Sequence, residues 1–322
     1  MEFAIRTDRL TKHYGGRRVV DNLDLRVPRG TVYGLLGRNG AGKSTTLKML
    51  AGMVRPDSGR AELLGEDVET LAPATRARIA YLAEGHPLYA WMTVRDAVAF
   101  ATSFYPNADR RFAEQVLDHF ALAPGAKIGR LSKGQRAQVS LALAVAPDPE
   151  LLILDDPTLG LDTNVRRDFL ESMIQIIQRR GRTILLSSHV LGDVERVADR
   201  VGVMVDGVLR VDCPAEHFKR SVRKVVAEFG QAPPPLPPCP GLLSDWHVGT
   251  RRELVFVGFG PQQRAAVEAL GPRRLEVAEL NLEDAFIEYT RGPRRSLPLF
   301  AKGADVFSGG KDDDGACDQG AA

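Results

Sequence analysis

The sequence predicts an α/β fold built on a parallel sheet, with a helical insertion and a small α+β domain after the core. Over residues 1–218, short β-rich runs alternate with helical stretches. Several runs, among them Val32–Gly37 and Leu151–Leu154, are apolar without alternation, as strands buried on both faces of a parallel sheet are. Helical stretches such as Ser44–Leu50 and Leu191–Asp199 suggest crossover connections between these strands.

The segment from about 86 to 146 differs from its surroundings because it contains helical patterns and no predicted strand. We predict helices at Thr93–Phe104, Arg110–Phe120 and Lys133–Val145. The first of them begins with Thr93-Val94-Arg95-Asp96, which has the polar spacing of a capping box. The segment is therefore interpreted as a helical insertion in the α/β core.

Residues 219–292 are predicted to form a small α+β accessory domain. Its strands and helices are predicted, in chain order, at Val225–Phe229, Glu253–Phe259, Gln262–Leu270, Arg274–Leu280 and Leu282–Thr290. The stretch Gln231–Pro240 has six prolines in ten residues, which is typical of a loop or a polyproline-like spacer. Residues 293–322 are rich in Gly and Asp and have almost no periodicity, so we predict a disordered tail.

Composition and charge exclude several classes of protein. The chain has 322 residues, of which 44% are hydrophobic and 26% charged, and this argues against a largely disordered or collagen-like chain. Lys and Arg number 43 and Asp and Glu 41, so the net charge of +2 gives no reason to expect a nucleic-acid ligand. The three cysteines lack the spacing of a metal site or a disulfide framework.

The apolar runs are too short for a membrane span. The longest, Leu141–Ala146, has six residues, whereas a transmembrane helix needs about 20. Charges occur throughout residues 1–30, so no signal peptide is expected. Together these features predict a cytoplasmic location.

A phosphate-binding loop is the strongest single motif. Gly37-Arg38-Asn39-Gly40-Ala41-Gly42-Lys43-Ser44 matches G-x-x-x-x-G-K-[ST] and lies between an apolar strand and a helix, the context that this motif requires. The glycines allow backbone N–H groups to cradle a β-phosphate. Lys43 would pair with the β- and γ-phosphates, Ser44 would give Mg²⁺ a hydroxyl ligand, and Thr45 lies within reach of the α-phosphate. The predicted binding residues are Gly37, Asn39, Gly40, Ala41, Gly42, Lys43, Ser44 and Thr45.

Two carboxylates end a predicted buried strand about a hundred residues further on. Asp155 lies where a P-loop ATPase holds Mg²⁺, directly or through water. Asp156 lies where a general base would face the attacking water. The simpler alternative is a strand end whose acids cap the next turn with Pro157, but the upstream phosphate loop favours the catalytic interpretation.

One further residue and three further short motifs occur in a fixed order around these two motifs. They are Tyr14, Leu131-Ser132-Lys133-Gly134-Gln135, Gly160-Leu161-Asp162 and Ser187-Ser188-His189. With them, residues 1–218 resemble the ATP-binding cassette of ABC transporters. The resemblance implies a P-loop ABC ATPase core with an antiparallel β subdomain and a helical insertion.

The resemblance also implies a head-to-tail dimer of two cassettes with two ATP molecules at the interface. Each ATP would contact the phosphate loop of one subunit and Ser132, Gly134 and Gln135 of the other. A helix that begins at these residues would direct free N–H groups and its positive dipole end at a γ-phosphate. Asp162 would contact the partner subunit.

The same resemblance implies roles at the nucleotide for two aromatic side chains, Tyr14 and His189. Tyr14 would stack on adenine, although it could instead be an ordinary strand-end tyrosine at the surface. His189 would contact the γ-phosphate and hold the attacking water. The predicted catalytic residues are thus Lys43, Asp156 and His189, and the predicted metal ligands are Ser44, Glu84 and Asp155.

Two positions depart from the pattern of the family. Glu84 stands where these cassettes generally have Gln; it still offers an oxygen ligand but adds a negative charge. Asp156 stands where they usually have Glu, and a misplacement of about 1 Å can cost on the order of 10²-fold in rate. Two outcomes stay open: a slow but competent ATPase, or a cassette that binds ATP and hydrolyses it poorly.

The leading functional hypothesis is the ATPase subunit of an ABC exporter that powers a separate transmembrane permease subunit. A groove near residues 84–91, including His86, Leu88, Tyr89 and Trp91, would suit docking of a short helix, or these side chains could pack the insertion onto the core. The segment Asn281–Glu288 looks like the helix that ends many ABC-2-type, drug-export-like ATPase subunits.

The alternatives are a soluble ABC ATPase that acts on the ribosome or on nucleic acid, and a low-turnover regulatory cassette that binds ATP. The first is disfavoured because the chain has one cassette and no heptad run, so no nucleic acid is expected. A second cassette is expected as partner, either an identical or a similar subunit. The predicted location is the cytoplasmic face of a membrane, by peripheral attachment.

Overall fold

The computed structural model describes residues 2–105, 108–178 and 181–291. The predicted disordered tail at 293–322 lies outside these residues. The strands are β1 (Phe3–Tyr14), β2 (Arg17–Leu23), β3 (Arg26–Pro28), β4 (Val32–Gly37), β5 (Ser58–Leu63), β6 (Glu66–Asp67), β7 (Ile79–Leu82), β8 (Leu151–Asp155), β9 (Thr183–Ser188), β10 (Arg200–Val205), β11 (Val208–Pro214), β12 (Val222–Glu228), β13 (Leu242–Val248), β14 (Arg251–Val257) and β15 (Arg274–Glu279).

The α-helices are α1 (Lys43–Leu50), α2 (Pro73–Arg76), α3 (Val94–Thr102), α4 (Arg110–His119), α5 (Lys133–Val145), α6 (Thr163–Gln178), α7 (Leu191–Glu195), α8 (Ala215–Ser221), α9 (Pro261–Glu268) and α10 (Leu282–Arg291). Short 3₁₀ turns occur at Val68–Thr70 and Ile128–Arg130. No helix within the described ranges combines the length and the apolar content needed to cross a bilayer.

The central sheet has six strands in the order β11-β10-β4-β9-β8-β7. All its neighbouring pairs are parallel except β10 and β11. Every residue of β4, β8 and β9 is buried, which explains why these strands appear in the sequence as runs without alternation. The predicted parallel α/β core is confirmed, and the carboxyl ends of β4, β9 and β8 meet at one edge.

A second sheet, antiparallel, lies against the core, as the predicted fold class requires. Its order is β2-β1-β5-β6, and β3 also pairs with β1. The sequence pattern predicts one strand over Val19–Val27. This prediction is wrong, because two strands, β2 and β3, lie there and are separated by an irregularity in their pairing with β1. At this point Arg9 and Asn22 have left-handed backbones, with φ of +48° and +46°, and the Arg9 N–H donates to the Asp24 carboxylate at 2.6 Å.

The helical insertion consists of α3, α4 and α5, and its first helix begins as the sequence predicts. Thr93 Oγ1 accepts the Asp96 N–H at 3.1 Å, and the Asp96 carboxylate accepts the Thr93 N–H at 3.0 Å. Buried apolar residues of the three helices, such as Val98, Leu117 and Val139, belong to the same apolar cluster as strands of the central sheet. The insertion therefore has no separate core.

A third sheet lies near the C-terminus, in the order β13-β14-β12-β15 and antiparallel throughout. Its own small apolar cluster includes Val225, Phe256 and Val267. Strand β13 was not predicted, because Asp245, Trp246 and the residues after them are exposed and show no apolar alternation. An edge strand that pairs on one side only needs no buried face, so the usual sequence signal is missing.

The last helix, α10, leaves this third sheet and packs on the ATPase part of the chain. Leu282, Ala285, Phe286 and Tyr289 are buried in the large cluster of the core. The Tyr289 ring meets that of Phe218 edge to face, with centroids 5.8 Å apart. The C-terminal segment is thereby attached to the core through an apolar contact.

Replacing Phe286 by Ala should lower the free energy of unfolding by about 3 kcal/mol, because a buried phenyl ring is removed and a cavity remains. The neighbouring Ile287 lies on the outer side of α10 and is 38% exposed, so Ile287→Ala should cost less than about 1 kcal/mol. Urea unfolding followed by circular dichroism measures both. Equal losses in the two variants would contradict the packing described for α10.

Candidate functional site

The phosphate loop follows β4 and leads directly into α1. Gly42 has a φ of +101°, and a Cβ added there would lie 2.5 Å from the Val19 carbonyl oxygen. A Cβ at Gly37 would lie 2.8 Å from the Met204 carbonyl oxygen. These close approaches require glycine, and they let the loop wrap tightly at the edge of the sheet.

Lys43 lies in the centre of this loop. Its side chain is buried, and Nζ donates to the Gly37 carbonyl at 2.7 Å. Burial lowers the pKa of Lys43 from its usual value. The neighbouring carboxylates act in the opposite direction, and these are Asp156, Asp155 and Glu84. The loop thus presents a partly desolvated cation beside a set of acids.

Asp155 ends β8 at the centre of a dense hydrogen-bond network. Its Oδ1 accepts from Ser44 Oγ and from Ser187 Oγ, each at 2.9 Å. Its Oδ2 accepts from the Tyr81 hydroxyl at 3.2 Å. Burial raises the pKa of Tyr81, and the negative charge of Asp155 adds to that rise, so the phenol keeps its proton for this bond.

Asp156 is held in an unusual backbone conformation. Its φ is +44°, in the left-handed region that few residues other than glycine adopt. The Asp156 N–H donates to Ser187 Oγ at 3.0 Å, and Oδ2 is bound to His189 Nδ1. The other carboxylate oxygen, Oδ1, is buried and has no hydrogen-bond partner among the residues that the structure describes. It is therefore available as a proton acceptor.

These groups surround a cavity of about 340 Å³. Its walls are Val19, Asn39, Gly40, Ala41, Gly42, Lys43, Ser44, Thr45, Glu84, Asp156, Leu159, Ser187 and His189. Residues from five separate segments of the chain meet there: four follow the carboxyl ends of central strands, and Val19 comes from β2 of the antiparallel sheet. Such an edge is where open α/β sheets bind their ligands.

Comparison with known proteins gives a consistent result. A family model described as ABC transporter matches residues 20–159. The bacitracin transport ATP-binding protein of Bacillus licheniformis is 35% identical over 226 residues, which is 70% of this chain and 74% of that protein. The daunorubicin resistance ATP-binding protein of Streptomyces coeruleorubidus is 32% identical over 312 residues, which is 91% of this chain and 97% of that protein.

This chain belongs to the ABC transporter ATP-binding family. It is an ATPase of that family, and its predicted class as the ATP-binding subunit of an ABC transporter is confirmed. These relatives do not favour the alternative of a soluble ABC ATPase that acts on the ribosome or on nucleic acid.

Solved structures agree on the fold of the cassette. An ATP-binding subunit of an ABC transporter matches with a TM-score of 0.61 at 28% identity, over 67% of this chain and 92% of that one. A dimeric cassette with bound ADP and phosphate, described as a post-hydrolysis state, matches with a TM-score of 0.59 at 21% identity. At that identity the second likeness concerns the fold alone.

Of the residues predicted to face a second subunit, Ser132, Gln135 and Asp162 make capping contacts at helix starts within this cassette, and Gly134 lies at a helix packing contact. Ser132 Oγ accepts the Gln135 N–H at 3.2 Å, and Gln135 Oε1 accepts the Ser132 N–H at 3.0 Å. A Cβ added to Gly134 would lie 2.6 Å from Val165 Cγ1, so glycine is needed for the packing of α5 against α6. Asp162 Oδ1 accepts the Val165 N–H at 3.0 Å. None of these residues lines the cavity.

Tyr14 also stays outside the cavity wall. It lies at the end of β1 with 49% of its surface exposed, and the Lys12 ammonium is 5.6 Å from the centre of its ring. The exposed face of this ring is available for stacking on adenine. That role of Tyr14 stays a prediction.

The donor set of the cassette fits Mg²⁺. The Ser44 hydroxyl and the Asp155 carboxylate are in direct contact, and both are the hard oxygen ligands that Mg²⁺ takes. Over the described ranges, no group of three or more His, Cys, Asp or Glu side chains lies close enough to hold a metal by itself. A magnesium ion would therefore need oxygen ligands from the nucleotide as well, as is usual for this cation.

Two residues of the network were not predicted as site residues. Ser187 belongs to the Ser-Ser-His motif, but the motif assigns it no role of its own, and the sequence assigns none to Tyr81. Ser187 lies opposite Asp155, and Tyr81 lies opposite Ile153 in the sheet. Their contacts with Asp155 follow from the strand order β7-β8-β9, which local sequence patterns do not reveal.

Asp156→Asn should lower the ATPase rate by roughly 10²- to 10⁴-fold while ATP binding is retained, because a general base is replaced by a group of similar shape that takes up no proton. Phosphate release and titration with a fluorescent ATP analogue measure the two properties. Asp118→Asn, on the exposed surface of α4, is the control and should change neither. An unchanged rate in Asp156→Asn would contradict the assignment of the base.

Ser187→Ala should lower the free energy of unfolding by about 1–3 kcal/mol, because a buried hydroxyl that bridges Asp155 and the Asp156 N–H is lost. We expect the ATPase rate to fall about tenfold or more in the same variant, since both carboxylates lose their common partner. Thermal unfolding and steady-state kinetics measure these effects, with Ser172→Ala as control. Wild-type stability and rate would show that the hydroxyl is dispensable.

Proposed function

We propose that this cassette is the ATPase subunit of an exporter, that it uses ATP with Mg²⁺, and that it acts on a separate transmembrane permease subunit. The observation that carries the export assignment is the extent of similarity to a daunorubicin resistance ATP-binding protein, which includes the C-terminal segment and α10. A Nod factor export ATP-binding protein of Burkholderia orbicola, 38% identical over 201 residues, adds support.

In the proposed reaction, Lys43 and the backbone of the phosphate loop bind the β- and γ-phosphates of ATP. Ser44, Asp155 and Glu84 would hold Mg²⁺, which supplies positive charge against the phosphate oxygens. Thr45 lines the same cavity and would contact the α-phosphate. The Asp155 carboxylate is held in one orientation as a ligand for Mg²⁺, because hydrogen-bond donors on both of its oxygens limit the rotation of the side chain.

Hydrolysis then requires one proton transfer by this chain. Asp156 accepts a proton from water as the water oxygen attacks the γ-phosphorus, and the bond to ADP breaks to leave ADP and inorganic phosphate. His189 Nδ1 donates to the Asp156 carboxylate, and Nε2–H would donate to a γ-phosphate oxygen when the imidazole carries protons on both nitrogens. The left-handed turn and the His189 contact hold the short aspartate side chain at the cavity, and this favours a competent ATPase over a low-turnover regulator.

The second cassette of the proposed dimer would complete the nucleotide site. The N-terminus of α5, with Ser132, Gly134 and Gln135, would approach the γ-phosphate held by the other subunit. Asp162 would contact the partner near the same place, and Tyr14 would stack on adenine. An identical or a similar cassette could fill the partner position.

The proposed permease contact is an aromatic groove between the core and the helical insertion. This cavity of about 470 Å³ includes Tyr89, Phe100 and Phe104. Phe104 is 65% exposed, and its ring meets that of Phe100 edge to face with centroids 5.0 Å apart. Trp91 is 68% exposed and lies beside this lining, with its ring centroid 5.9 Å from that of Tyr89. His86 and Leu88 also line the groove, but His86 is buried and Leu88 is partly buried, so Tyr89 and Trp91 are the members of the predicted set that are exposed to a partner. An amphipathic helix of the permease would bury the exposed rings.

This docking would attach the cassette peripherally to the cytoplasmic face of the membrane. Trp91→Ala should lower the amount of cassette in the membrane fraction about tenfold or more when it is expressed with its permease subunit, because an exposed aromatic anchor is lost. Basal ATPase activity should be unchanged.

Trp246→Ala is the matched control, since Trp246 is 59% exposed but lies on β13, far along the chain from the groove. It should leave the membrane fraction unchanged. Full retention of Trp91→Ala would exclude the groove as the docking surface. A wild-type cassette that never reaches the membrane fraction would overturn the transporter assignment itself.

A further inference from the structure

His86 lies in the connection between β7 and α3, which runs between the nucleotide cavity and the aromatic groove. Glu84, two residues before it, lines the nucleotide cavity. His86 itself and Tyr89, three residues after it, line the groove. The imidazole is buried, with only 5% of the residue exposed. One short connection therefore contributes to both surfaces.

The ring of His86 makes one hydrogen bond, to the carbonyl oxygen of Pro157 at 2.9 Å. A carbonyl oxygen only accepts, so Nε2 carries the proton and donates it. Burial lowers the pKa of His86, which favours the neutral ring, and Nδ1 then carries a lone pair. Nδ1 is buried without a hydrogen-bond partner in the part of the chain that the structure describes.

Two unfavourable features thus coincide at His86. Its backbone is left-handed, with a φ of +51°, and its Nδ1 acceptor is buried without a partner. An apolar residue, or a residue better suited to a left-handed backbone, would remove one or both costs. Such features cluster at functional sites, where a contact elsewhere compensates for them. The compensating contact available here is the bond to Pro157.

The Pro157 carbonyl belongs to the turn that carries Asp156. The turn is closed by the Leu159 N–H, which donates to the Asp156 carbonyl at 3.1 Å. Ser187 holds this turn from the β9 side through the Asp156 N–H. His86 holds it from the opposite side, through the first residue after Asp156. Between them the two contacts determine where the Asp156 carboxylate lies.

We propose that His86 is a positioning residue for ATP hydrolysis, whose Nε2–H bond to the Pro157 carbonyl holds the turn of Asp156 and ties it to the loop that lines the aromatic groove. The proposal rests on the role of Asp156 as general base, which the Asp156→Asn variant tests separately. The hydrogen bond between His86 and the Pro157 carbonyl is called the tether below. The proposal does not depend on the identity of the permease, because the tether lies within the cassette.

A matched pair of substitutions tests the tether in the full-length protein. In His86→Gln the side-chain amide can place an N–H donor near the position of Nε2. In His86→Asn the amide reaches only to the position of Nδ1, so the bond to Pro157 is lost. Asn is among the residues most tolerant of a left-handed backbone, so it relieves strain while it removes the tether. If relief of backbone strain were all that mattered, the Asn variant would therefore be the more stable of the two.

We expect His86→Asn to lower kcat by about 10- to 100-fold, while the dissociation constant of a fluorescent ATP analogue and the melting temperature stay close to wild type. His86→Gln should keep most of the wild-type kcat. Amide hydrogen exchange of the peptide spanning residues 156–161 should be faster in the Asn variant and near wild type in the Gln variant. His119→Asn, on the exposed end of α4, is the control and should match wild type throughout.

Wild-type kcat and exchange in His86→Asn would overturn the proposal. Equal losses of kcat in the Asn and Gln variants would also overturn it, because the donor position would then not matter. A loss of kcat in His86→Asn that is matched by a fall in melting temperature would assign His86 a structural role only. If His86→Asn is slow but Asp156→Asn is not, the base assignment fails and the proposal fails with it, because the turn held by His86 would then position no base.

Discussion

The nucleotide site depends on the side-by-side pairing of three buried parallel strands, β4, β9 and β8. Parallel pairing brings their carboxyl ends to the same edge of the sheet, so the phosphate loop, His189 and the two aspartates meet although they are distant in sequence. The burial that holds these strands together comes from apolar side chains on both faces. The phosphate loop, both aspartates and His189 come together only through this arrangement, since no single segment carries enough of the groups.

Hydrogen bonds, and not ion pairs alone, stabilise the negative charges of the two aspartates at this edge of the sheet. Asp155 is almost fully buried but accepts three hydroxyl donors, which offset much of the cost of burying a carboxylate. Asp156 keeps one oxygen without such a partner within the described structure and therefore remains the more reactive of the two. Adjacent carboxylates with different surroundings can thus take different roles, one as ligand and one as base.

The connection between β7 and α3 joins this edge to the surface of the helical insertion. Glu84 lies at the nucleotide cavity, His86 at the turn of Asp156, and Tyr89 at the groove. The insertion shares one apolar core with the central sheet, so it cannot move as an independent domain without disturbing that core. Binding of a partner in the groove would therefore affect the position of the hydrolytic residues through the short connection between β7 and α3.

The sequence by itself determined the features that are encoded locally. The phosphate loop, the buried strand before Asp155 and the capping box at Thr93 each depend on neighbouring residues, and the structure has the loop, strand and cap at these positions. Only the tertiary structure decided the features that depend on strand order or on backbone irregularity. The contact of Tyr81 with Asp155 needs the order β7-β8-β9, the bond of His86 to Pro157 needs a left-handed turn, and β13 is an edge strand without an apolar pattern. Such contacts join residues far apart in the chain, and local periodicity contains no information about which distant partner a side chain will meet.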